Sequence, residues 1–167
     1  TPNVDFISVQ VYGDLAKVEQ QIQNTNINKP YMVTEFGPLG HWEVPHTEWG
    51  QPIEEPSAVK AASLAKRMQQ GLELNLTGLN VGAFAFEWGQ KQERTPTWYG
   101  MFNKDGKANA RVDEMTKFWT GKYPNHRAPL VEAIFINKQA PTTSVYLSAN
   151  EIAKANIVVS NTEKNKY

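Results

Sequence analysis

Residues 29–40 read KPYMVTEFGPLG, and the fold follows from how this stretch is punctuated. Pro30 fixes the start of a short run, residues 31–36, rich in aromatic and β-branched side chains, and Gly37-Pro38 stops it. Such a run between turn residues is a strand. Its C-terminal end carries one carboxylate, Glu35, with no Lys or Arg beside it in sequence. A charge ending an otherwise apolar strand is costly to leave unused. It is either a strand-end Glu paired to a distant Arg or a functional carboxylate.

Upstream, residues 4–12 (VDFISVQVY) form a second β-prone run closed by Gly13-Asp14. Alternation places Phe6, Ser8, Gln10 and Tyr12 on one face and Ile7, Val9 and Val11 on the other. Asp14 is an N-cap signal for a helix through Leu15, Val18 and Ile22 that fades at residues 24–26. Downstream, residues 37–56 make a long loop holding His41, Trp42, His46, Trp49 and several Glu. Loops of that length in a compact domain are usually functional or disordered, and the tryptophans argue against disorder. Ser57 then caps a helix reaching about residue 74, with Ala61, Leu64, Ala65, Met68 and Leu72 as its apolar stripe, ended by Asn75 and Gly78. Residues 80–88 (NVGAFAFEW) are a buried strand, residues 89–106 a second long loop, and residues 108–120 a last helix before Gly121.

Strands alternating with amphipathic helices imply parallel strands and an α/β fold. Both long loops follow strand C-termini, where such folds place their sites. Three units cannot close a barrel, so residues 1–121 read as the C-terminal part of a (β/α)8 TIM-type barrel, strands six to eight. Residues 122–129 (KYPNHRAP) are a linker by composition, and residues 130–167 read as the start of an all-β, sandwich-like module with strands over 131–136, 144–147 and 157–159. The opening TPNVDF, without initiator Met or signal peptide, fits a piece of a longer polypeptide. Lys+Arg equals Asp+Glu at 17 each in 167 residues, without a basic cluster, which disfavours nucleic acid and anionic membrane as partners. Mean hydropathy is -0.53 and no long apolar run predicts a membrane span. The chain has no cysteine, so disulfides, thiolate metal sites and a Cys nucleophile are excluded.

Three strand ends, Tyr12, Glu35 and Trp88, converge on one face of a parallel barrel. A carboxylate, a phenol and flat aromatic walls suit sugar chemistry: aromatic faces stack on pyranose rings, and a carboxylate stabilises positive charge at the anomeric carbon. Tyr12 is placed to donate to Glu35 and hold it ionised. Gln10 shares the face of Tyr12.

VTEFG at residues 33–37 resembles the strand-seven motif of the retaining clan A glycoside hydrolases, (β/α)8 barrels. SVQVYG at residues 8–13 is similar to their strand six, and AFAFEWG at 83–89 followed by TPTWYGMF is similar to strand eight and its loop. The nearest likeness is to family 2-type barrels and related β-glucan-active enzymes, over residues 4–121. The resemblance implies that Glu35 is the nucleophile of a retaining β-glycosidase or transglycosidase acting on polysaccharide or oligosaccharide. It further implies that Tyr12 orients Glu35 and that Trp88 floors the subsite of the reacting sugar. The family's acid/base Glu ends strand four, which this chain lacks. The upstream half of the barrel is therefore an expected partner, and this fragment alone is expected to be inactive on unactivated substrates. A polysaccharide substrate implies a secreted or periplasmic protein.

Other residues leave alternatives open. Alternation sets Glu87 opposite Phe86 and Trp88, away from the barrel mouth. Glu43, Glu48, Glu54 and Glu55 read as a solvated surface. His41 and His46 match no helical metal-ligand spacing and are better suited to binding sugar hydroxyls; no metal and no cofactor is expected. Trp42, Trp49 and Trp98 are either sugar platforms or loop anchors, and Gln90 and Lys91 either sugar ligands or surface. Residues 75–77 fit the N-glycosylation pattern. From a different class, a non-catalytic carbohydrate-binding or scaffold protein presenting tryptophans also fits; it would tolerate Glu35→Gln, which a nucleophile would not.

Overall fold

The computed structural model describes residues 3–162. Three strands, β1 (Ile7–Gln10), β2 (Tyr31–Phe36) and β3 (Asn80–Ala85), pair in parallel in the order β1-β2-β3. The run opened by Pro30 is the central strand. Its inward residues Tyr31, Val33 and Phe36 are each no more than 1 % exposed, as a strand flanked on both edges and roofed by helices requires. They pack with Leu15, Val18, Leu64, Met68, Met101 and Met115 into the main core. Each side chain buried so completely contributes about 2 kcal/mol.

Between β1 and β2 the chain makes a 3-10 helix (Gly13–Lys17) and then α1 (Val18–Asn24). Asp14, expected as the N-cap, lies one residue inside: Tyr12 holds the cap position, and the Asp14 carboxylate accepts from Lys17 at 2.8 Å and Gln21 at 3.4 Å. After β2 comes α2 (Ser57–Met68), which passes into a π turn (Gln69–Glu73). Ser57 is likewise not the cap. Pro56 precedes the helix, and Ser57 Oγ accepts the Val131 N–H at 2.9 Å, tying the helix start to the second module. After β3, α3 (Ala110–Thr120) is capped by Asn109 Oδ1, which accepts the Arg111 N–H at 3.1 Å, and ends at a left-handed Gly121.

Helices cover one face of the sheet only. On the other, Ser8, Gln10, Val81 and Phe84 are exposed, and among the described residues no strand pairs with the outer edge of β1 or of β3. The second module is a two-stranded antiparallel ribbon, β4 (Leu130–Ile136) with β5 (Ala155–Ser160). Residues 144–147, expected as a strand, are not one. They dock on the loop after β2 instead: the Glu48 N–H donates to Ser144 Oγ at 2.9 Å, Tyr146 Oη donates to Glu48 Oε2 at 2.6 Å, and the Tyr146 ring meets Trp49 edge-on at 5.4 Å. The linker is packed as well, with the Ala128 N–H on Asp113 Oδ2 at 2.9 Å and the Arg127 guanidinium 3.8 Å from the Tyr123 ring centre.

The 3-10 helix reaches the π turn through a gap that admits no side chain: a Cβ on Gly71 would stand 1.9 Å from the Leu15 carbonyl oxygen. Gly71→Ala is therefore expected to destabilise the fold by about 2–3 kcal/mol, since backbone and not a flexible side chain must give way. A urea midpoint lowered at unchanged slope is the readout.

Candidate active site

The ends of β1 and β2 and the two long loops surround an open groove of about 510 Å³, lined by Gln10, Tyr12, Glu35, Trp42, Phe86, Lys91, Glu93 and Tyr99. β1 and β2 pair with Gln10 opposite Glu35, so the parallel register itself brings these side chains together. Tyr12, just past β1, donates its hydroxyl to Glu35 Oε1 in a short hydrogen bond, while Gln10 Nε2 lies 3.5 Å from Glu35 Oε2, at the weak limit. Burial, and then the hydrogen bond and charge of Glu35, hold the Tyr12 phenol well above its ordinary range. Tyr12 is thus a neutral donor at any physiological pH, and Glu35 keeps a lone pair facing the groove.

Close approach at the strand ends is a glycine requirement. A Cβ on Gly37 would come within 2.6 Å of the Phe86 carbonyl oxygen, where the Phe86 N–H takes the Phe36 carbonyl at 2.6 Å. From behind, the buried Arg67 of α2 donates through Nη1 to the carbonyls of Tyr12 at 2.6 Å and Gly37 at 3.1 Å. One guanidinium thereby fixes the backbone on either side of the Tyr12–Glu35 pair.

The rim loops are anchored by polar groups that composition presents as surface. Glu43 accepts the Gly13 N–H at 3.0 and 3.1 Å and the Gly40 N–H at 2.7 Å, clasping the loop after β2 to that after β1. Glu54 pairs with the buried Lys60 and accepts Thr97 Oγ1 at 2.8 Å; Glu48 holds Tyr146. Glu43 and Glu48 are exposed, as a solvated surface requires, and still fasten loops, with a partner up to 98 residues away; Glu54 is half-buried against Lys60, which corrects its reading as surface. Arg111, 2 % exposed, gathers the carbonyls of Thr97, Trp98, Tyr99 and Gly100 at 2.6–3.1 Å. Burial pushes its guanidinium down to about 10, partly offset by Glu54.

Of the residues singled out from sequence, the groove brings together Tyr12, Glu35, Gln10, Lys91 and Trp42, the last 58 % exposed with its ring edge-on to Tyr12 at 5.5 Å. His41 stands behind Trp42, its backbone N–H and Nδ1 at 3.3 and 3.2 Å from the Tyr99 hydroxyl, as a support for the rim. Trp98 is an anchor and not a platform. It is 2 % exposed and donates Nε1–H to the Leu39 carbonyl at 3.0 Å. Gln90 is exposed and does not line the groove.

Trp88 lies elsewhere. It packs on Phe102 at 5.2 Å and Trp119 at 5.5 Å, along the outer flank of β3 with Ala83, Phe84 and Ala85. Strand alternation cannot be carried to Trp88, because β3 ends at Ala85; Phe86 takes the groove wall in its place. Phe86, Glu93 and Tyr99 are the groove residues that pattern reading missed. Tyr99, within TPTWYGMF, and Phe86, within AFAFEWG and on the face opposite Glu87, carried a signal; Glu93 carried none. Asn75 of the glycosylation pattern has its amide engaged on both sides, with Nδ2 on the Asn80 carbonyl and Oδ1 on the Asn80 N–H, each at 3.1 Å.

A second depression, of about 400 Å³, lies between the start of α2 and β4 over Lys60 and Arg111. Lys60 there is bonded to Glu54 and Arg111 to loop carbonyls, while Glu55 Oε2 is buried without a hydrogen-bond partner. Among the described residues no cluster of three or more His, Cys, Asp or Glu is arranged to hold a metal ion, and no helix is long and apolar enough to cross a membrane. No family model matches the sequence, and no curated protein matches it.

Burial pushes the Lys60 ammonium down to about 8, against the pull of Glu54, from an ordinary 10.5. Between those values the unfolded chain holds the proton that the folded chain has released. Stability from this group therefore rises with pH across the window, by up to about 1.4 kcal/mol per pH unit. Denaturant midpoints at pH 7.5 and 9.5 are expected to rise more in the wild type than in Lys60→Met; equal slopes would show that the lysine is not depressed.

Proposed function

We propose that this groove is the nucleophile half of a retaining β-glycoside hydrolase or transglycosidase acting on oligosaccharide or polysaccharide. The observation that carries the reading is a strand-end carboxylate, Glu35, open to the groove on one side and held on the other by a neutral phenol, Tyr12. Glu35 attacks the anomeric carbon as the bond to the leaving oxygen breaks, giving a glycosyl ester that water or an acceptor sugar then releases. Tyr12 orients the attacking carboxylate, and Trp42 and Phe86 supply apolar walls for the pyranose faces.

The leaving oxygen needs a proton from a second carboxyl group. We assign that acid to further strands of a (β/α)8 barrel. The unpaired outer edges of β1 and β3, and the sheet face left uncovered at Ser8, Gln10 and Phe84, are the surfaces such strands would cover. An upstream half of the barrel is thus the partner this reading requires, and a polysaccharide substrate sets the enzyme outside the cell or in a periplasm.

Intact-mass labelling with a panel of 2-deoxy-2-fluoro glycosyl fluorides tests this, because fluoride departs without acid assistance. The expected result is one adduct, mapped to Glu35, absent in Glu35→Gln and formed at least about tenfold more slowly in Tyr12→Phe. Absence of any adduct from folded protein, alone or with the barrel-completing segment, would favour the non-catalytic carbohydrate-binding reading. Retained sugar binding in Glu35→Gln would then follow.

A further inference from the structure

One wall of the groove carries an ion pair that the nucleophile chemistry does not use. Lys91 Nζ stands 2.8 Å from Glu93 Oε2 and 5.0 Å from the centre of the Phe86 ring. Lys60 and Arg111 are buried and hold the loop together; Lys91 and Glu93 keep 45 % and 37 % of their side chains exposed and line the space that Glu35 faces. The charges there act on one another. The Lys91 ammonium is raised first by its bond to Glu93, and Glu87 and Glu35 add to it. Glu93 in turn contributes, after burial and nearer partners, to raising the phenols of Tyr12 and Tyr99.

We propose that the Lys91–Glu93 pair sets the charge preference of the groove, so that it accepts neutral hexosides and turns away uronic acids; the inference rests on the glycosidase reading. Among the lining residues Glu35 and Glu93 oppose a single cation, Lys91, leaving the groove one negative charge. A neutral sugar offers adjacent hydroxyls that accept from the ammonium and donate to the carboxylate without breaking the pair. A uronate adds a further carboxylate to a negative groove and must compete with Glu93 for Lys91. The Phe86 face beneath the ammonium favours the position that Lys91 holds beside Glu93.

Methyl β-D-glucopyranoside and methyl β-D-glucopyranosiduronate differ at one carbon and in one charge. Their binding at low salt, followed by NMR shift titration, is compared in the wild type, Glu93→Gln and Lys91→Met. The wild type is expected to bind the neutral glycoside and to bind the uronate several-fold more weakly. Glu93→Gln, which frees the ammonium and removes an acceptor for sugar hydroxyls, is expected to raise the ratio of uronate to neutral affinity about fivefold. Lys91→Met is expected to weaken the uronate further. Both side chains are partly exposed, so the variants fold, as melting curves would verify. An unchanged ratio of the two affinities in both variants, with the neutral glycoside bound, would overturn this inference and leave the glycosidase reading standing. Binding of neither sugar, together with the absence of a fluorosugar adduct, would overturn both.

Discussion

The site depends on guanidinium groups buried behind it. Loop backbone at the top of a parallel sheet leaves carbonyl oxygens without ladder partners, and such groups are costly to bury unpaired. Arg67 supplies donors to the carbonyls at the ends of β1 and β2, and Arg111 to four consecutive carbonyls in the loop after β3. Taking a cation out of water costs several kcal/mol. The depressed state of Arg111 and of Lys60 records that cost. What the fold gains is irregular backbone with its carbonyls bonded, from which Tyr12 and Tyr99 project beside Glu35 near the end of β2.

Anchoring of this kind explains why the two side chains of the candidate site, Tyr12 and Glu35, meet without contact along the chain. Tyr12 and Glu35 are 23 residues apart, and only the parallel register of β1 with β2 and the shared clamp on their ends set the phenol against the carboxylate. The aromatic groups follow. Trp42 is held through Glu43, Tyr99 through Arg111, and Phe86 through its N–H on the Phe36 carbonyl. A rigid polar frame carries a soft aromatic lining, a division of labour suited to ligands that offer both hydroxyls and apolar ring faces.

Much of the first module was legible in the chain. Strand β2 occupies the run between Pro30 and Gly37, α3 ends at the expected glycine, and the pairing of Tyr12 with Glu35 follows from a carboxylate and a phenol at neighbouring strand ends. What escaped was whatever depended on a partner distant in sequence. Ser57 looks like a helix cap but bonds Val131, the exposed Glu43 also clasps Gly13, and residues 144–147 look like a strand but lie on Glu48 and Trp49. Trp88 was misplaced for a local reason. Alternation is a property of strands, and the strand stops three residues before it.

The fasteners of the rim share a property with a consequence for the evolution of such a site. Glu43 and Arg111 grip backbone atoms almost exclusively: N–H groups in one case and carbonyls in the other. Most side chains between the grip points are irrelevant to the grip. The loops can therefore drift in sequence, and so change the lining of the groove, while their attachment to the end of the sheet persists. The protein separates the inheritance of its frame from the inheritance of its preferences.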